Sequence, residues 1–341
     1  MRRATPAILA PTFIAESSIV IFMRSGQAVF SALLPQAAIN RAGPAMGDVF
    51  HEDMSAARRE LRAPSLPLPA GAYDVHAHVA GPFDRFPMVA NAPYRLPLSP
   101  YEDYESMLDI VGMAKGVLIQ ASACGYDNSG LLDALERGNG RLRGVGVVSA
   151  SISDRELSEL DRRGVRGLRF SEVGHPVGAP PPGFLGFAEL RRLAPRLKAM
   201  GWHAQIWTKC SIIADNAEMF KSLGIPMVFD HFGFIDVSQG TDHGDFRSLV
   251  SLLNEGDFWL KTTAFRNSNT LPDMADVRPF HEALVRDVPD RLLWGSDWPF
   301  IGMGGRIPNV GHLLDLLRDW TADDAVLEKI LVTNPRQLYG F

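Results

Sequence analysis

Cysteine is almost missing from this 341-residue chain: Cys124 and Cys210 are the only two. They form neither a CxxC zinc pattern nor a disulfide framework, and they suit a reducing cytosol. An excess of basic charge is missing as well. Thirty-four Lys and Arg face 39 Asp and Glu, for a net charge of −5, so no positive field invites nucleic acid or an anionic membrane. No stretch approaches the ~18–20 uninterrupted apolar residues of a membrane helix. The short apolar run at 19–23 follows Glu16 and precedes no clear cleavage site, which argues against an export signal. The expected setting is the cytoplasm. The sequence does not reveal an oligomeric state.

What is present is ordinary globular text. The chain is 46% hydrophobic and 21% charged, and its length allows a large core without disulfide or metal staples. Its character changes near residue 70. Residues 1–70 lack steady periodicity and are punctuated by prolines at 6, 11, 35, 44, 64, 67 and 69. They read as an irregular, accessory or disordered extension, with one short helix expected over 48–61. "APSLPLPAG" at 63–71 then reads as a stiff linker.

From residue 71 to 341 short β-rich runs recur, each followed by an amphipathic stretch. The runs are "YDVHAHV" (73–79), "KGVLIQAS" (115–122), "RGVGVVS" (143–149), "VRGLRF" (165–170), "WHAQIW" (202–207), "PMVFDH" (226–231), "FWLKTT" (258–263) and "RLLWGSD" (291–297). Helices are expected over 154–163, 187–200, 216–223 and 245–254. Alternating strands and helices imply a parallel sheet, and eight such units imply a closed (β/α)8 TIM barrel. An open doubly wound sheet is the alternative, weakened because no GxGxxG follows the first strand.

In such a barrel the active site lies at the carboxyl ends of the strands. Polar residues end six of these runs: His76 and His78, Arg169, Trp207 with His203 and Gln205 before it, Asp230-His231, Arg266, and Asp297. Core strands have no need of such residues, because unpaired buried polar groups are costly. Strand alternation gives His76 and His78 one parity, shared by Asp74, so the imidazoles converge about 6–7 Å apart along the strand. That spacing suits one metal ion or one substrate oxygen. His203 reads either as a site residue or as packing between Trp202 and Trp207. Arg85 reads as a substrate contact or as the partner of Asp84. His51, His243, His281 and His312 read as surface groups.

These residues resemble the amidohydrolase superfamily, in its second amidohydrolase-related group, and most of all the 2-pyrone-4,6-dicarboxylate lactonase-like proteins. The matching text is "DVHAHVAGPFDRFP", "LIQASACGYDN", "RGVGVVS", "GVRGLRF", "GWHAQIW", "VFDHFG", "WLKTTAFRNSN", "LLWGSDWPF" and "LVTNPRQLYGF". The resemblance implies a hydrolase of aromatic or sugar-acid catabolism that opens a small carboxylated lactone. It implies that His76, His78 and His231 polarise the lactone carbonyl, that Asp297 activates water, and that Arg169 and Arg266 hold carboxylates. It also implies a reaction without cofactor.

Two positions depart from that pattern. His175 stands near an expected arginine, and Trp207 stands where a tyrosine is expected. Fewer fixed cations favour a lactone with one carboxylate, or a sugar-acid lactone, over the dicarboxylate. A mononuclear Zn or Mn enzyme, an amidohydrolase or decarboxylase using His76, His78, His203 and Asp297, is an alternative. Arg169 on strand four, where binuclear relatives place a bridging Lys or Glu, opposes a two-metal centre. A sugar-acid lactone isomerase and a non-catalytic binding barrel complete the alternatives.

Overall fold

A computed structural model describes residues 61–92, 94–172, 183–303 and 306–341. The helix expected over 48–61 falls almost entirely outside these residues, as do His51 and His175. Eight strands run in chain order round one sheet: β1 (Tyr73–Ala77), β2 (Lys115–Ile119), β3 (Leu142–Gly146), β4 (Val165–Glu172), β5 (His203–Thr208), β6 (Met227–Phe229), β7 (Phe258–Lys261) and β8 (Leu292–Leu293). Every neighbouring pair is parallel. The sheet closes on itself: Val75 N donates to Trp294 O at 3.1 Å and His78 N to Trp298 O at 2.8 Å. The architecture is the expected (β/α)8 barrel.

Helices cover the outside: α1 (Tyr101–Val111), α2 (Ser129–Arg137), α3 (Asp154–Arg162), α4 (Phe187–Met200), α5 (Cys210–Asp215), α6 (Ala217–Leu223), α7 (Gly244–Glu255), α8 (Arg278–Asp287) and α9 (Val310–Thr321). Local chemistry starts and stops them. Ser153 and Glu156 form a reciprocal capping box at the head of α3, which satisfies amides that would otherwise lack partners. Gly201, at φ 67°, ends α4 in the left-handed conformation that costs glycine least.

Strand residues of one parity bury leucines and aromatics against the helices. The other parity fills the lumen with Val75, Val117, Ile119, Val145, Val228, Trp259 and Leu293. The segment 61–69 lies along α9. Arg62 and Ser65 bind Asp315, and Arg318 donates to Pro67 O at 2.7 Å. A side chain at Gly311 would come within 2.3 Å of Arg62 O, so glycine permits this close approach.

One strand departs from simple alternation. In β1, Asp74 pairs with Gly116 but Ala77 with Leu118, so β1 spends one residue more than β2 over that interval. This bulge changes which side chains face inward. Asp74, expected to share the lumen with His76, faces the helix layer instead. Tyr104 of α1 donates to its carboxylate at 3.3 Å, and Ser296 Oγ at 2.6 Å. Beyond the bulge His76 and His78 both turn inward.

Candidate active site

The carboxyl ends of the strands surround a cavity of about 260 Å³ lined by His78, Arg169, Trp207, His231, Arg266 and Asp297, among others. Asp297, just past β8, is its centre. Its Oδ1 lies 3.5 Å from His78 Nε2 and 3.6 Å from His76 Nε2, and its Oδ2 lies 3.9 Å from His231 Nε2. Both Asp297 and His231 have left-handed backbones, with φ of 55° and 49°. For non-glycine residues that conformation is strained by about 1–2 kcal/mol, and such strain gathers at functional sites.

Burial alone would raise the Asp297 pKa. The Arg266 guanidinium foremost, then His231, instead holds it well below the usual carboxylate range. Arg266 reaches Asp297 Oδ2 through Nε at 2.5 Å and Ile301 O through Nη1 at 2.8 Å. Expected as a clamp for substrate, Arg266 therefore gives two of its donors to the protein. Arg169 is less committed. Its nearest carboxylate is Asp230 at 3.5 Å, its Nε has no partner, and its guanidinium lies over the Trp207 ring at 5.6 Å.

The three histidines are not equivalent. His78 Nδ1 is 2.8 Å from Ile119 O, which can only accept, so Nδ1 carries a proton and the singly protonated ring turns a bare Nε2 to the cavity. His76 is the reverse. Its Nδ1 lies 3.3 Å from Lys261 Nζ and 3.2 Å from Asp230 Oδ1, but only the lysine contact has hydrogen-bond geometry. An ammonium only donates, so Nδ1 accepts and the proton sits on Nε2, toward Asp297. Burial pushes the His231 pKa down to about 4 against the pull of Asp297, so this ring is neutral at pH 7.

Beneath the cavity lies a buried polar layer in which Gln205 and Asp230 were singled out in the sequence but Lys261 was not. Lys261 of β7 donates to Gln205 Oε1 at 2.8 Å, and Gln205 Nε2 donates to Asp230 Oδ2 at 3.1 Å. Burial lowers the Lys261 pKa to about 8, partly offset by Asp230, so it stays mostly protonated at pH 7. The available signal was a lysine at lumen parity in the otherwise apolar start of "FWLKTT".

Other expectations fare differently. Trp207 lines the cavity, but His203 lies four residues earlier on β5, about 13 Å lower at strand rise. There it packs edge-on against Tyr339, with ring centres 5.2 Å apart, so it is away from the cavity and cannot complete the proposed metal set. Arg85 is on the surface, paired with Asp133 at 3.0 Å rather than Asp84. His281 is not a surface group: it is buried and its Nε2 meets Thr321 Oγ1 at 3.0 Å. His243 caps α7, and His312 lies 3.1 Å from Asp273. Tyr94, Ser122, Phe184, Phe234 and Ile301 also line the cavity and were not singled out in the sequence, because loops carry them.

Two groups of potential metal donors share His76: one with His78 and Asp297, the other with Asp230 and His231. Two cations already stand beside these groups, although the first group's own donors, His76 Nε2, His78 Nε2 and Asp297 Oδ1, carry neither of them. The Lys261 ammonium already contacts His76 Nδ1, and Arg266 occupies Asp297 Oδ2. Among the described residues, no helix is long and apolar enough to cross a membrane.

A closed barrel carrying a histidine-ringed aspartate over its carboxyl face defines a class of barrel hydrolases. Residues 73–341 match the amidohydrolase family, and the chain belongs to it. It is 34% identical over 277 residues to 4-sulfomuconolactone hydrolase of Hydrogenophaga intermedia, covering 80% of this chain and 90% of that one. It is likewise 34% identical over 286 residues to 2-pyrone-4,6-dicarboxylate hydrolase of Comamonas testosteroni, covering 81% and 92%. A solved structure of a Pseudomonas putida protein, described as a 2-pyrone-4,6-dicarboxylic acid hydrolase, superposes with a TM-score of 0.68 at 30% identity, covering 80% and 98%. The chain is a hydrolase enzyme.

Proposed function

We propose that the protein hydrolyses a small lactone bearing one carboxylate, without a metal. The observation that carries this reading is Asp297: a buried carboxylate held ionised beside three imidazoles and facing a cavity with one loosely committed arginine. The lactone-hydrolase relatives supply the reaction class.

Asp297 Oδ1 accepts one proton of the attacking water, while the bare Nε2 of His78 accepts a hydrogen bond from the other. This departs from three histidines all donating to the carbonyl. The donors are His76 through Nε2–H, held by Lys261, and His231. The water oxygen bonds to the lactone carbonyl carbon, and negative charge gathers on the carbonyl oxygen. Losing one donor to such an oxygen costs about 10²–10³ in rate. Collapse breaks the ring C–O bond, and protonated Asp297 returns its proton to the departing alkoxide. The product is an open hydroxy acid. Arg169 holds the substrate carboxylate by charge-assisted hydrogen bonds. The cations against His76 and Asp297 support a reaction without metal.

The test is Asp297→Asn, with folding checked by circular dichroism. General-base catalysis contributes about 10²–10⁴, so turnover of a carboxylated lactone falls by at least about 10². A kcat within a few-fold of the parent refutes the mechanism. An unopened ring in the product NMR spectrum turns the reading to isomerisation. Chelator treatment leaves the rate unchanged; loss of activity restored by Zn or Mn refutes the metal-free part.

A further inference from the structure

One wall of the cavity carries no cationic side chain among the described lining residues. Trp207 lies under Arg169, and the Phe234 ring meets Trp207 edge-on with centres 5.8 Å apart. Tyr94, Phe184 and Ile301 line the same cavity. Among the described lining residues the only cations are Arg169 and Arg266, and Arg266 is bound to Asp297 and Ile301. Glu172, at the end of β4, is turned to the head of α4, where Phe187 N donates to it at 3.1 Å. A second carboxylate against this wall would lose water without gaining a charged partner, whereas an apolar group would gain by leaving water.

We infer that Trp207, Phe234, Phe184, Tyr94 and Ile301 form an apolar subsite that receives an aryl or branched alkyl substituent of a mono-carboxylated lactone. The inference rests on the lactonase reading and deepens it: Arg169 takes the one carboxylate, and the aromatic wall takes the substituent. Trp207, in place of the tyrosine expected there, removes a phenolic hydroxyl from that wall and adds aromatic surface.

The experiment uses the full chain and three lactones of one ring size. Each carries one ring carboxylate; the second adds a phenyl group and the third a second carboxylate. Burying a group of that kind is worth about ten- to a hundred-fold, so kcat/KM for the phenyl lactone exceeds that of the parent by that factor. The dicarboxylate falls below the parent. In Phe184→Ala the ratio of phenyl to parent lactone drops toward one. Turnover of the parent with no gain from phenyl, or with a gain from the second carboxylate, overturns the subsite while leaving the lactonase reading standing. If no lactone is opened, the lactonase reading falls, and tryptophan-fluorescence titration with the ring-opened phenyl and parent hydroxy acids decides the subsite. Tighter binding of the phenyl acid, weakened by Phe184→Ala, sustains it, and equal binding overturns it.

Discussion

Replacing Arg266 with methionine separates two roles that its sequence position leaves tangled. The structure gives Nε of Arg266 to Asp297 and Nη1 to Ile301 O. A cation beside a carboxylate lowers its pKa by about 1–3 units, each worth about 1.4 kcal/mol. In the proposed mechanism Asp297 works ionised, and Arg266 is the strongest influence holding it so in acid. Without that cation the pKa of Asp297 rises, so the rate is lost at a higher pH than in the parent. The acid limb of the kcat/KM profile for a neutral lactone moves up by about 1–3 pH units, while the rate on the alkaline side changes less. A neutral substrate keeps carboxylate binding out of the measurement, and ring opening is followed by pH-stat titration. The reasoning is refuted if the acid limb stays in place while KM rises selectively for an anionic lactone. That result would make Arg266 a substrate clamp.

Three other perturbations give distinct readouts. Lys261→Met removes the donor that fixes His76 and leaves Asp230 short of a cation, so kcat falls more than KM changes. Breaking a buried pair costs about 3–5 kcal/mol, which urea unfolding would register, and the ¹⁵N shifts of His76 should lose their Nε2–H signature. Unchanged ¹⁵N shifts would remove Lys261 from the positioning of that ring. Acid should destabilise the fold before most carboxylates titrate. Burial lowers His203 to about 3, and His231 and His281 to about 4, from an ordinary 6.5. A depressed folded pKa means the unfolded chain binds more protons, so stability is full above pH ~6.5 and drains as pH falls toward ~4, by up to about 3 kcal/mol for His281 alone. A Tm flat across that window would contradict the buried neutral histidines. Arg169→Met should raise KM for a mono-carboxylated lactone at least about ten-fold, as a charge-assisted hydrogen bond is worth about 1.5–3 kcal/mol, and should leave a neutral lactone little affected. Equal effects on both would move the carboxylate elsewhere.

Much of this was legible beforehand, for physical reasons. Buried strands read as short β-rich runs, and all eight formed where expected; the helix at 187–200 has the predicted limits. Residues at strand ends fall at one face of a barrel by construction, which is why His78, Arg169, Trp207, His231, Arg266 and Asp297 could be gathered from text alone. Depth along a strand was harder. His203 and Trp207 share a parity but not a layer, and alternation says nothing about height. Partners of buried charges were harder still. Nothing adjacent in sequence ties Lys261 to His76, 185 positions away, or Arg266 to Asp297, 31 away. His281 looked like a surface group because helix position alone does not say which side faces Trp320, whose ring centre lies 5.8 Å away.

The extra residue in β1 divides that short strand into two halves with different duties. Upstream, Asp74 fastens the barrel seam to its jacket through Ser296 and Tyr104. Downstream, the imidazoles of His76 and His78 face Asp297 at 3.6 and 3.5 Å. Deleting Val75 would restore strict alternation, remove one lumen side chain and pull the seam one residue out of step with the imidazoles. The enzyme thus depends on an irregularity that a more regular strand would erase, and substitutions on either side of it should segregate cleanly into damaged folding and damaged turnover.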